Sequence, residues 1–552
     1  MKVAIAQVNT VIGDFKYNFD RIIYFANKAK DLSCDLVVFP ELVITGYPPR
    51  DLLEKKDFVD ANLLWRDKLV GSIDGIGVIC GFVDKNLNDE GKPLYNASVL
   101  FEDGEILHMA YKRLLPTYDV FDERRYFEPG RSCISFPYKG HRIGITICED
   151  IWNDKDIFIK RMYHIDPVSL MIRDGADLII NISASVFHAG KREFRWNMLS
   201  AVARKYRVPF IYANQVGGND SFLFDGISTV YDRSGKLIAR GRDFEEDLVV
   251  CDLKATEASG DIHPVSDSDA ESILKALIMG TRDYVKKCGF SKVVVGLSGG
   301  IDSALTAYIA AMALGNNNVM AAFMPSQYTS RENFEDTKEL AENIGIELVQ
   351  IPIDSIFKEF LKFLSPSFDE SKPGITEQNI QARIRGSILM ALSNRHGSLL
   401  LSTGNKSELA VGYCTLYGDM NGGLAVISDV PKKMVYELSR HINKEKEYIP
   451  KRIIEKAPSA ELKPGQLDQD DLPPYEILDS ILKGYIEDFK SVEELVDMGF
   501  DNKLVKEVIS KVDINEYKRH QAAPGLKVTS KAFGYGRRYP IAKKIAPYLN
   551  NN

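Results

Sequence analysis

The chain has 552 residues, 45% of them hydrophobic and 27% charged, which is long enough for two or more globular domains. The formal net charge of −7 argues against a nucleic-acid polyanion as the main partner. No apolar run reaches the ~20 residues of a membrane-spanning helix, so we expect no membrane partner. The seven cysteines are scattered without a C-x-x-C motif, which predicts a reducing, cytoplasmic location.

The first half of the chain alternates short β-branched runs with helical stretches, the pattern of an α/β fold. Strands are predicted at 2–8, 35–39, 76–83, 97–101, 142–148, 178–182, 209–214 and 248–253. Helices are predicted at 17–30, 167–173 and 191–206. Residues 231–236 predict a hairpin turn between two strands.

Three short segments of this half carry chemically useful side chains. Glu41 lies in FPEL, Lys112 in YKRLLP and Cys148 in TICEDIW. A cysteine attacks a carboxamide and releases ammonia, and water then cleaves the thioester. A carboxylate removes the thiol proton and later activates the water, while a lysine stabilises the thiolate and the oxyanion. Periodicity does not connect the three segments, and each alone has an ordinary structural interpretation.

Together these segments resemble the Glu–Lys–Cys triad of the nitrilase, or carbon–nitrogen hydrolase, superfamily over residues 1–253. That resemblance implies an αββα sandwich. The variant that it most resembles is the glutamine amidase domain of glutamine-dependent NAD+ synthetases. In that variant the resemblance implies that Tyr118, Ser185 and Lys191 hold the glutamine substrate.

Residues 254–269 are short of large apolar side chains and predict an interdomain linker between domains at 1–253 and 270–552. A helix is expected from 270 to 287, followed by strands at 292–297, 319–324, 347–353 and 399–402. Helices are predicted at 303–314, 331–344, 376–395 and 432–441. This alternation predicts a doubly wound parallel sheet. Residues 457–475 are rich in Pro, Asp and Gly and predict a mobile lid loop.

A glycine turn, SGGIDS at residues 298–303, follows an apolar run and opens a predicted helix. Backbone N–H groups and the positive end of the helix dipole make such a turn an anion cradle. Asp302 is suited to hold a Mg²⁺ ion that bridges phosphate oxygens. No lysine follows the glycines, so the turn is not a Walker A motif.

Further polar segments follow in the second half. Thr403 and Glu408 lie in STGNKSE after a predicted strand, where the hydroxyl suits adenosine or phosphate and the carboxylate suits Mg²⁺ or an amide. Asn379 and Arg383 share one face of a predicted helix. Lys432 opens a helix after a proline, where its ammonium could meet a phosphate.

The glycine turn resembles the SGGxDS loop of the N-type ATP pyrophosphatases, and residues 270–540 resemble the NAD+ synthetase domain. The resemblance implies that ATP is bound by Gly296, Leu297, Ser298, Gly299, Gly300, Ile301, Asp302, Ser303 and Thr403. It implies that Asn379, Glu408 and Lys518 contact deamido-NAD+, that Asp302 and Glu408 hold Mg²⁺, and that the protein is a homo-oligomer.

The implied activity is the ATP-dependent amidation of deamido-NAD+ to NAD+, the last step of NAD biosynthesis, with ammonia released from glutamine. An adenylylated intermediate forms, and AMP, pyrophosphate and glutamate are the other products. Two alternatives stay open from the residues alone. One is an ammonia-using, adenylate-forming ligase with a different acceptor, and the other is an amidase whose second half only senses nucleotide.

Overall fold

A computed structural model describes residues 1–253, 259–367, 374–459, 461–463 and 465–543. The chain forms two compact units, Met1–Asp269 and Ala270–Asn552. Each unit is described by itself. No helix among the described residues is both long enough and apolar enough to cross a bilayer.

The first unit is built on two large sheets. Its strands are β1 (Lys2–Gln7), β2 (Leu36–Val38), β3 (Gly77–Lys85), β4 (Leu94–Glu102), β5 (Glu105–Tyr111), β6 (Phe136–Tyr138), β7 (His141–Ile147), β8 (Leu178–Ser183), β9 (Phe210–Asn214), β10 (Val216–Asn219), β11 (Phe222–Asp225), β12 (Thr229–Tyr231), β13 (Leu237–Arg240), β14 (Asp247–Asp252) and β15 (Ser259–Gly260). One sheet has the order β15-β14-β1-β2-β3-β4-β5 and the other β13-β12-β9-β8-β7-β6, while β10 and β11 form a separate hairpin.

Side chains alternate between the two faces of each strand, so one face of each sheet packs against the other sheet. Val3 and Ile5 of β1 lie in one buried cluster with Ile145 and Ile180 of the other sheet. Because successive side chains point to opposite faces, Ala4 faces the other way. There the helices α1 (Phe15–Asp31) and α2 (Lys56–Val70) cover the first sheet, and α3 (Pro167–Arg173) and α4 (Lys191–Tyr206) cover the second. The layers therefore run helix, sheet, sheet, helix, which confirms the predicted αββα sandwich.

Local predictions for this unit held where the sequence pattern was strong. The helix predicted at 191–206 has those bounds, and the predicted turn at 231–236 joins the antiparallel strands β12 and β13. Helix α2 was missed because only four of its residues are buried, and β5 because all its residues are partly exposed. Of the predicted linker, 254–258 lies outside the described residues. Residues 259–260 pair with β14, and Ser266 N–H donates to Asp243 at 2.8 Å.

The second unit contains one five-stranded sheet. Its strands are β16 (Val293–Leu297), β17 (Val319–Phe323), β18 (Glu347–Gln350), β19 (Leu399–Ser402) and β20 (Leu424–Ala425), all parallel, in the order β18-β17-β16-β19-β20. Its helices are α5 (Asp269–Lys287), α6 (Ile301–Leu314), α7 (Arg331–Ile344), α8 (Asp354–Leu364), α9 (Ile375–His396), α10 (Lys406–Val411), α11 (Lys432–Ile442), α12 (Lys451–Glu455), α13 (Tyr475–Leu482), α14 (Val492–Asp497), α15 (Asn502–Ile514) and α16 (Glu516–Arg519).

This strand order confirms the predicted doubly wound sheet. β17 and β18 are added on one side of β16, whereas β19 and β20 are added on the other, so the strand order reverses between the neighbouring strands β16 and β19. In such sheets the connections after the two central strands diverge and leave a crevice at their carboxyl ends. The glycine turn follows β16, and Thr403 follows β19. Both predicted ATP-binding segments therefore meet at this switch point.

Candidate active sites

Cys148 lies at the carboxyl end of β7, where the strand changes into a short 3₁₀ turn at Cys148–Ile151. Its φ angle is +45°, a conformation that few side-chain-bearing residues adopt. Asp150 holds the turn, because its carboxylate accepts from the N–H of Ile147 at 3.0 Å and from the N–H groups of Arg113 and Leu114 at 3.0 and 2.8 Å. The cysteine turn is thus tied to the segment that follows Lys112.

The other two predicted triad residues form a buried ion pair. Lys112 Nζ lies 2.7 Å from Glu41 Oε1 and also 2.7 Å from Glu123 Oε1. Glu41 accepts two more hydrogen bonds, from Asn96 Nδ2 at 2.7 Å and from the N–H of Ala184 at 2.9 Å. The carboxylate of Glu41 is therefore fully oriented before any substrate binds.

Burial and charge set the protonation of this site. Burial raises the pKa of the Cys148 thiol, and the negative charge of Glu41 raises that pKa further, whereas Lys112 opposes them. Burial alone would lower the pKa of Lys112, but the charges of Glu123 and Glu41 outweigh it and raise that pKa. The cysteine therefore rests as a neutral thiol beside a charged lysine, and its activation requires a base.

Glu123 is a functional residue that the sequence analysis missed. It begins the 3₁₀ turn Glu123–Arg125, accepts from Tyr47 Oη at 2.9 Å, and burial raises its pKa to about 7. In the sequence it stands in FDERRY, a charged run typical of a solvated loop. Only the fold shows that this carboxylate points inward onto Lys112, since no local periodicity marks it.

One predicted glutamine contact, Tyr118, binds a second acid that the sequence analysis missed, Glu149. Tyr118 Oη donates to Glu149 at 2.9 Å, and Tyr163 Oη lies 3.1 Å from the same carboxylate. Burial raises the pKa of Glu149 to about 7. Lys191 Nζ donates to the Val186 carbonyl at 2.8 Å and lies 5.5 Å from the centre of the Trp152 ring. The structure thus brings Tyr118 next to the residue that follows the cysteine.

Ser185, the third predicted glutamine contact, is held through a buried relay. Its N–H donates to Asn214 Oδ1 at 2.9 Å, and Asn214 Nδ2 donates to Asp225 at 3.0 Å. Asp225 in turn forms a two-point ion pair with Arg195, at 3.1 and 2.7 Å. The preceding residue, Ala184, donates its N–H to Glu41. The relay therefore fixes the stretch of backbone that positions both Glu41 and Ser185.

The second unit contains a cavity of about 450 Å³ at the carboxyl ends of β16 and β19. Its lining includes every residue predicted to bind ATP except Gly299, together with the predicted deamido-NAD+ contacts Asn379, Glu408 and Lys518. Gly299 has φ +79°, and a Cβ there would lie 3.0 Å from the Asn333 side chain. A glycine is therefore required for the turn to form as it does.

A buried lysine organises this cavity. Lys432, at the start of α11, pairs with Asp302 Oδ2 and lies 3.1 Å from Glu408 Oε1. Asn405 Nδ2 donates to Asp302 Oδ1 at 3.0 Å. The two carboxylates outweigh burial and raise the pKa of Lys432, while burial raises that of Glu408 to about 7. The site thus holds a fixed positive charge beside a phosphate-type loop.

Asn379 and Lys518 line the cavity and also form hydrogen bonds with other residues of the chain. Thr415 Oγ1 donates to Asn379 at 2.8 Å, and Lys518 Nζ donates to the carbonyls of Gly412 and Cys414 at 2.8 and 2.9 Å. Arg383 donates to the Leu416 carbonyl at 3.2 Å. These contacts all hold the 412–416 turn, so these residues also shape the cavity wall.

The predicted lid lines the same cavity. Its described residues Pro458, Ser459, Glu461, Leu462, Gln466, Asp468 and Asp471 all contribute to the lining, whereas residues 460 and 464 lie outside the described part of the chain. Lys456, just before it, donates to the Gly299 carbonyl at 2.9 Å. The residue that precedes the segment therefore contacts the glycine turn directly.

The donor set of the cavity fits Mg²⁺ held together with a nucleotide. Asp302 and Glu408 supply two carboxylates, and among the described residues no group of three or more His, Cys, Asp or Glu could hold a metal. Mg²⁺ is usually bound by one or two carboxylates plus substrate phosphates and water, rather than by a complete protein cage. Two carboxylates beside a phosphate-type loop meet that requirement.

A buried cysteine–carboxylate–lysine site in one unit and a nucleotide-type cavity in the other define the class: a carbon–nitrogen ligase with a nitrilase-type amidase domain. Family models agree, since Carbon-nitrogen hydrolase matches residues 2–259 and NAD synthase matches residues 273–522. The chain belongs to the glutamine-dependent NAD+ synthetase family.

The relatives that show this membership match the chain from end to end. Glutamine-dependent NAD(+) synthetases of Synechocystis sp. and Thermotoga maritima are 46% and 45% identical, and each alignment covers 99% of both chains. The solved structure of the Acinetobacter baumannii glutamine-dependent NAD+ synthetase, in complex with ADP, is 40% identical with a TM-score of 0.77. It covers 98% of both chains.

The relay behind Ser185 leads to a prediction. Asn214→Ala removes the acceptor for the Ser185 N–H and the donor to Asp225, so the 184–185 backbone loses its anchor. We expect kcat/KM for glutamine to fall about 10- to 100-fold, the size of effect that a misplaced catalytic group produces.

The matched control is Asn62→Ala, another buried asparagine with two hydrogen bonds, both to Val83. It should lower the melting temperature comparably and leave glutamine kinetics near wild type. Steady-state glutaminase assays with both variants decide the matter, and equal losses of kcat/KM would remove the relay from the explanation.

Proposed function

We propose that this chain transfers the amide nitrogen of glutamine to the nicotinate carboxyl of deamido-NAD+, with cleavage of ATP to AMP and pyrophosphate. The observation that carries the proposal is the presence in one chain of two buried sites with complementary chemistry. The Cys148 site suits amide hydrolysis, and the Asp302–Lys432–Glu408 cluster lines a cavity suited to a nucleotide. The family relationship supports the same pairing.

In the amidase site Glu41 acts as the base, because its carboxylate is fixed by three hydrogen-bond partners, Asn96, Lys112 and Ala184, and the nearby Cys148 is a neutral thiol. The Cys148 thiol proton passes to Glu41 and the sulfur attacks the glutamine carboxamide. Lys112, held by Glu123, stabilises the oxyanion. Glu41 then gives its proton to the departing nitrogen, ammonia leaves, and Glu41 activates the water that cleaves the thioester.

The specificity for glutamine would come from Glu149 together with Tyr118, Ser185 and Lys191. Glu149 is a buried carboxylate next to the nucleophile, so its charge suits the α-ammonium of an amino acid. Tyr118 orients it, and Lys191 supplies a positive charge for the α-carboxylate. This arrangement favours a free amino acid over a simple amide.

In the synthetase cavity the nicotinate carboxylate attacks the α-phosphorus of ATP and displaces pyrophosphate, which leaves an adenylyl ester. The N–H groups of the 298–303 turn and the ammonium of Lys432 would hold the phosphates. Asp302 and Glu408 are the residues that would hold Mg²⁺, which when bound neutralises charge on the phosphates. Ammonia then attacks the acyl carbon, AMP leaves, and the carboxamide of NAD+ remains.

Asn379, Glu408 and Lys518 would contact deamido-NAD+, and Thr403 would contact ATP, because all four line the cavity. A homo-oligomeric state is suggested by the family relationship, and a cytoplasmic location by the scattered cysteines. The names of the relatives favour deamido-NAD+ over another acceptor.

Replacement of Cys148 distinguishes the amidase site from the synthetase cavity. Cys148→Ala removes the nucleophile, so NAD+ formation from glutamine should fall by at least ~10³-fold. Formation of NAD+ from saturating ammonium should stay within about 2-fold of wild type, because the nitrogen then bypasses the thioester. NAD+ is measured by an enzymatic cycling assay. Undiminished use of glutamine by this variant would exclude Cys148 as the nucleophile.

Asp302→Asn should have the complementary effect. It weakens the charge balance around Lys432 and removes a carboxylate proposed for Mg²⁺. We expect NAD+ formation to fall at least ~10²-fold with either nitrogen donor, while glutamate release continues. AMP and pyrophosphate are measured with deamido-NAD+ present. If the wild-type protein itself released neither, the nucleotide-sensing alternative would replace the ligase.

The pKa of Glu149 gives a pH-dependent prediction. Its pKa of about 7 means that the ionised form, which binds a cation, is gained as pH rises through 7. KM for glutamine should therefore fall about 10-fold from pH 6 to pH 8. In Glu149→Gln, KM should be higher and nearly constant over this range.

The control for this experiment is Glu193→Gln, which changes an exposed carboxylate at the start of α4. It should keep the wild-type pH profile. A wild-type profile in Glu149→Gln would mean that another group binds the amino acid.

A further inference from the structure

Asp468 carries a buried oxygen atom without a hydrogen-bond donor. The residue begins the short turn Asp468–Asp470 and is only 4% exposed. Its Oδ2 accepts from Tyr475 Oη at 2.9 Å, whereas Oδ1 accepts no hydrogen bond of standard geometry from the described residues, although the Tyr413 hydroxyl is close enough to lower the pKa of the carboxyl. A buried polar atom left without a partner is costly, so such an atom in a binding cavity indicates a ligand that is yet to bind.

The position of Asp468 ties it to the synthetase site. It lines the cavity together with Asp302, Glu408 and Lys432. The ammonium of Lys432 lies 5.2 Å from the centre of the Tyr475 ring, whose hydroxyl donates to Asp468. The tyrosine therefore connects the two ends of one polar site.

Asp468 differs from Asp302 and Glu408, two of the other acids in the lining, in what it already binds. Asp302 accepts from Asn405 and pairs with Lys432, and Glu408 also pairs with Lys432. The three carboxylates do not form a metal cluster among the described residues. Asp468 is thus an acid of this cavity with one carboxylate oxygen that makes no hydrogen bond to the described residues.

We propose that Asp468 accepts the proton that the attacking nitrogen loses in the amidation step, an assignment that rests on the proposed function. The lone pair of ammonia forms the new C–N bond at the acyl carbon of the adenylyl ester, and the carbonyl π electrons move to oxygen. One N–H proton passes to Asp468 Oδ1. The electron pair on the oxyanion then re-forms the C=O bond, the C–O bond to AMP breaks, and AMP leaves with the electron pair of that broken bond. Asp468 later returns its proton to solvent.

Two features suit Asp468 to this step. Burial raises its pKa, although the charge of Lys432 opposes the rise, and a higher pKa makes a carboxylate a better base. Its second oxygen is fixed by Tyr475, so the reactive oxygen points in one direction. A base is needed here because the nitrogen becomes positively charged as the C–N bond forms.

The test is Asp468→Asn in the full chain, assayed by two partial reactions. Exchange of pyrophosphate into ATP in the presence of deamido-NAD+ reports adenylylation, and NAD+ formation from ammonium reports the complete reaction. We expect exchange within about 3-fold of wild type and NAD+ formation lowered about 10²- to 10³-fold, the usual contribution of a general base.

Hydroxylamine provides a rescue. It is largely unprotonated at neutral pH, and its adduct loses a proton more readily than that of ammonia. The variant should therefore form the hydroxamate product at a rate much nearer to wild type. The matched control is Asp470→Asn, two residues away, whose carboxylate accepts the Leu467 N–H and whose amide oxygen could still do so. It should behave as wild type in every assay.

Three results would overturn the assignment. Loss of exchange along with NAD+ formation would make Asp468 a substrate-binding or structural residue. Full NAD+ formation would mean that it has no part in the step, and equal loss with ammonium and hydroxylamine would mean that it is not the proton acceptor. If the wild-type protein gave neither exchange nor NAD+, the proposed function would fail instead.

Discussion

Each unit of this protein depends on a buried lysine held between two carboxylates. Lys112 lies between Glu41 and Glu123, and Lys432 lies between Asp302 and Glu408. A buried ammonium is stable only when it is paired, and removal of one partner of such a pair costs about 3–5 kcal/mol. The burial that makes this pairing necessary also excludes water from the chemistry beside these ions.

One carboxylate in each cluster changes its protonation state near neutral pH. Burial raises the pKa of Glu123 and of Glu408 to about 7, so each cluster loses about one proton as pH rises through neutrality. A raised carboxyl pKa means that the folded state binds more protons than the unfolded chain between about pH 4.5 and 7. These two acids therefore oppose folding increasingly as pH rises through that window, a cost that the ion pairs with lysine offset.

The residues proposed to carry out the chemistry were easier to predict from the sequence than the residues that contact them. Cys148 and the 298–303 turn were found because each stands in a distinctive run at a strand end, and strand order then determines which loops meet. Glu123 was missed because it stands in the charged run FDERRY, and Glu149 because it is one of two adjacent acids after the cysteine, with nothing in the sequence to distinguish it from Asp150. Asn214 lies in a strand that was predicted, but its hydrogen bonds to Ser185 and Asp225 cross between segments 11 to 29 residues apart. No spacing rule reports such contacts.

The proposed reactions of the two sites require opposite proton transfers, because the nitrogen gains a proton in the amidase site and loses one in the synthetase cavity. In the amidase site the departing nitrogen must gain a proton before it can leave as ammonia, which is the step proposed for Glu41 with the proton of the Cys148 thiol. In the synthetase cavity the incoming nitrogen must lose a proton before the amide is neutral, which is the step proposed for Asp468. Ammonia is protonated in neutral water and then has no lone pair for attack. A carboxylate buried beside each reacting carbon lets each transfer proceed without that solvent equilibrium, and this explains why both acids are placed where water is scarce.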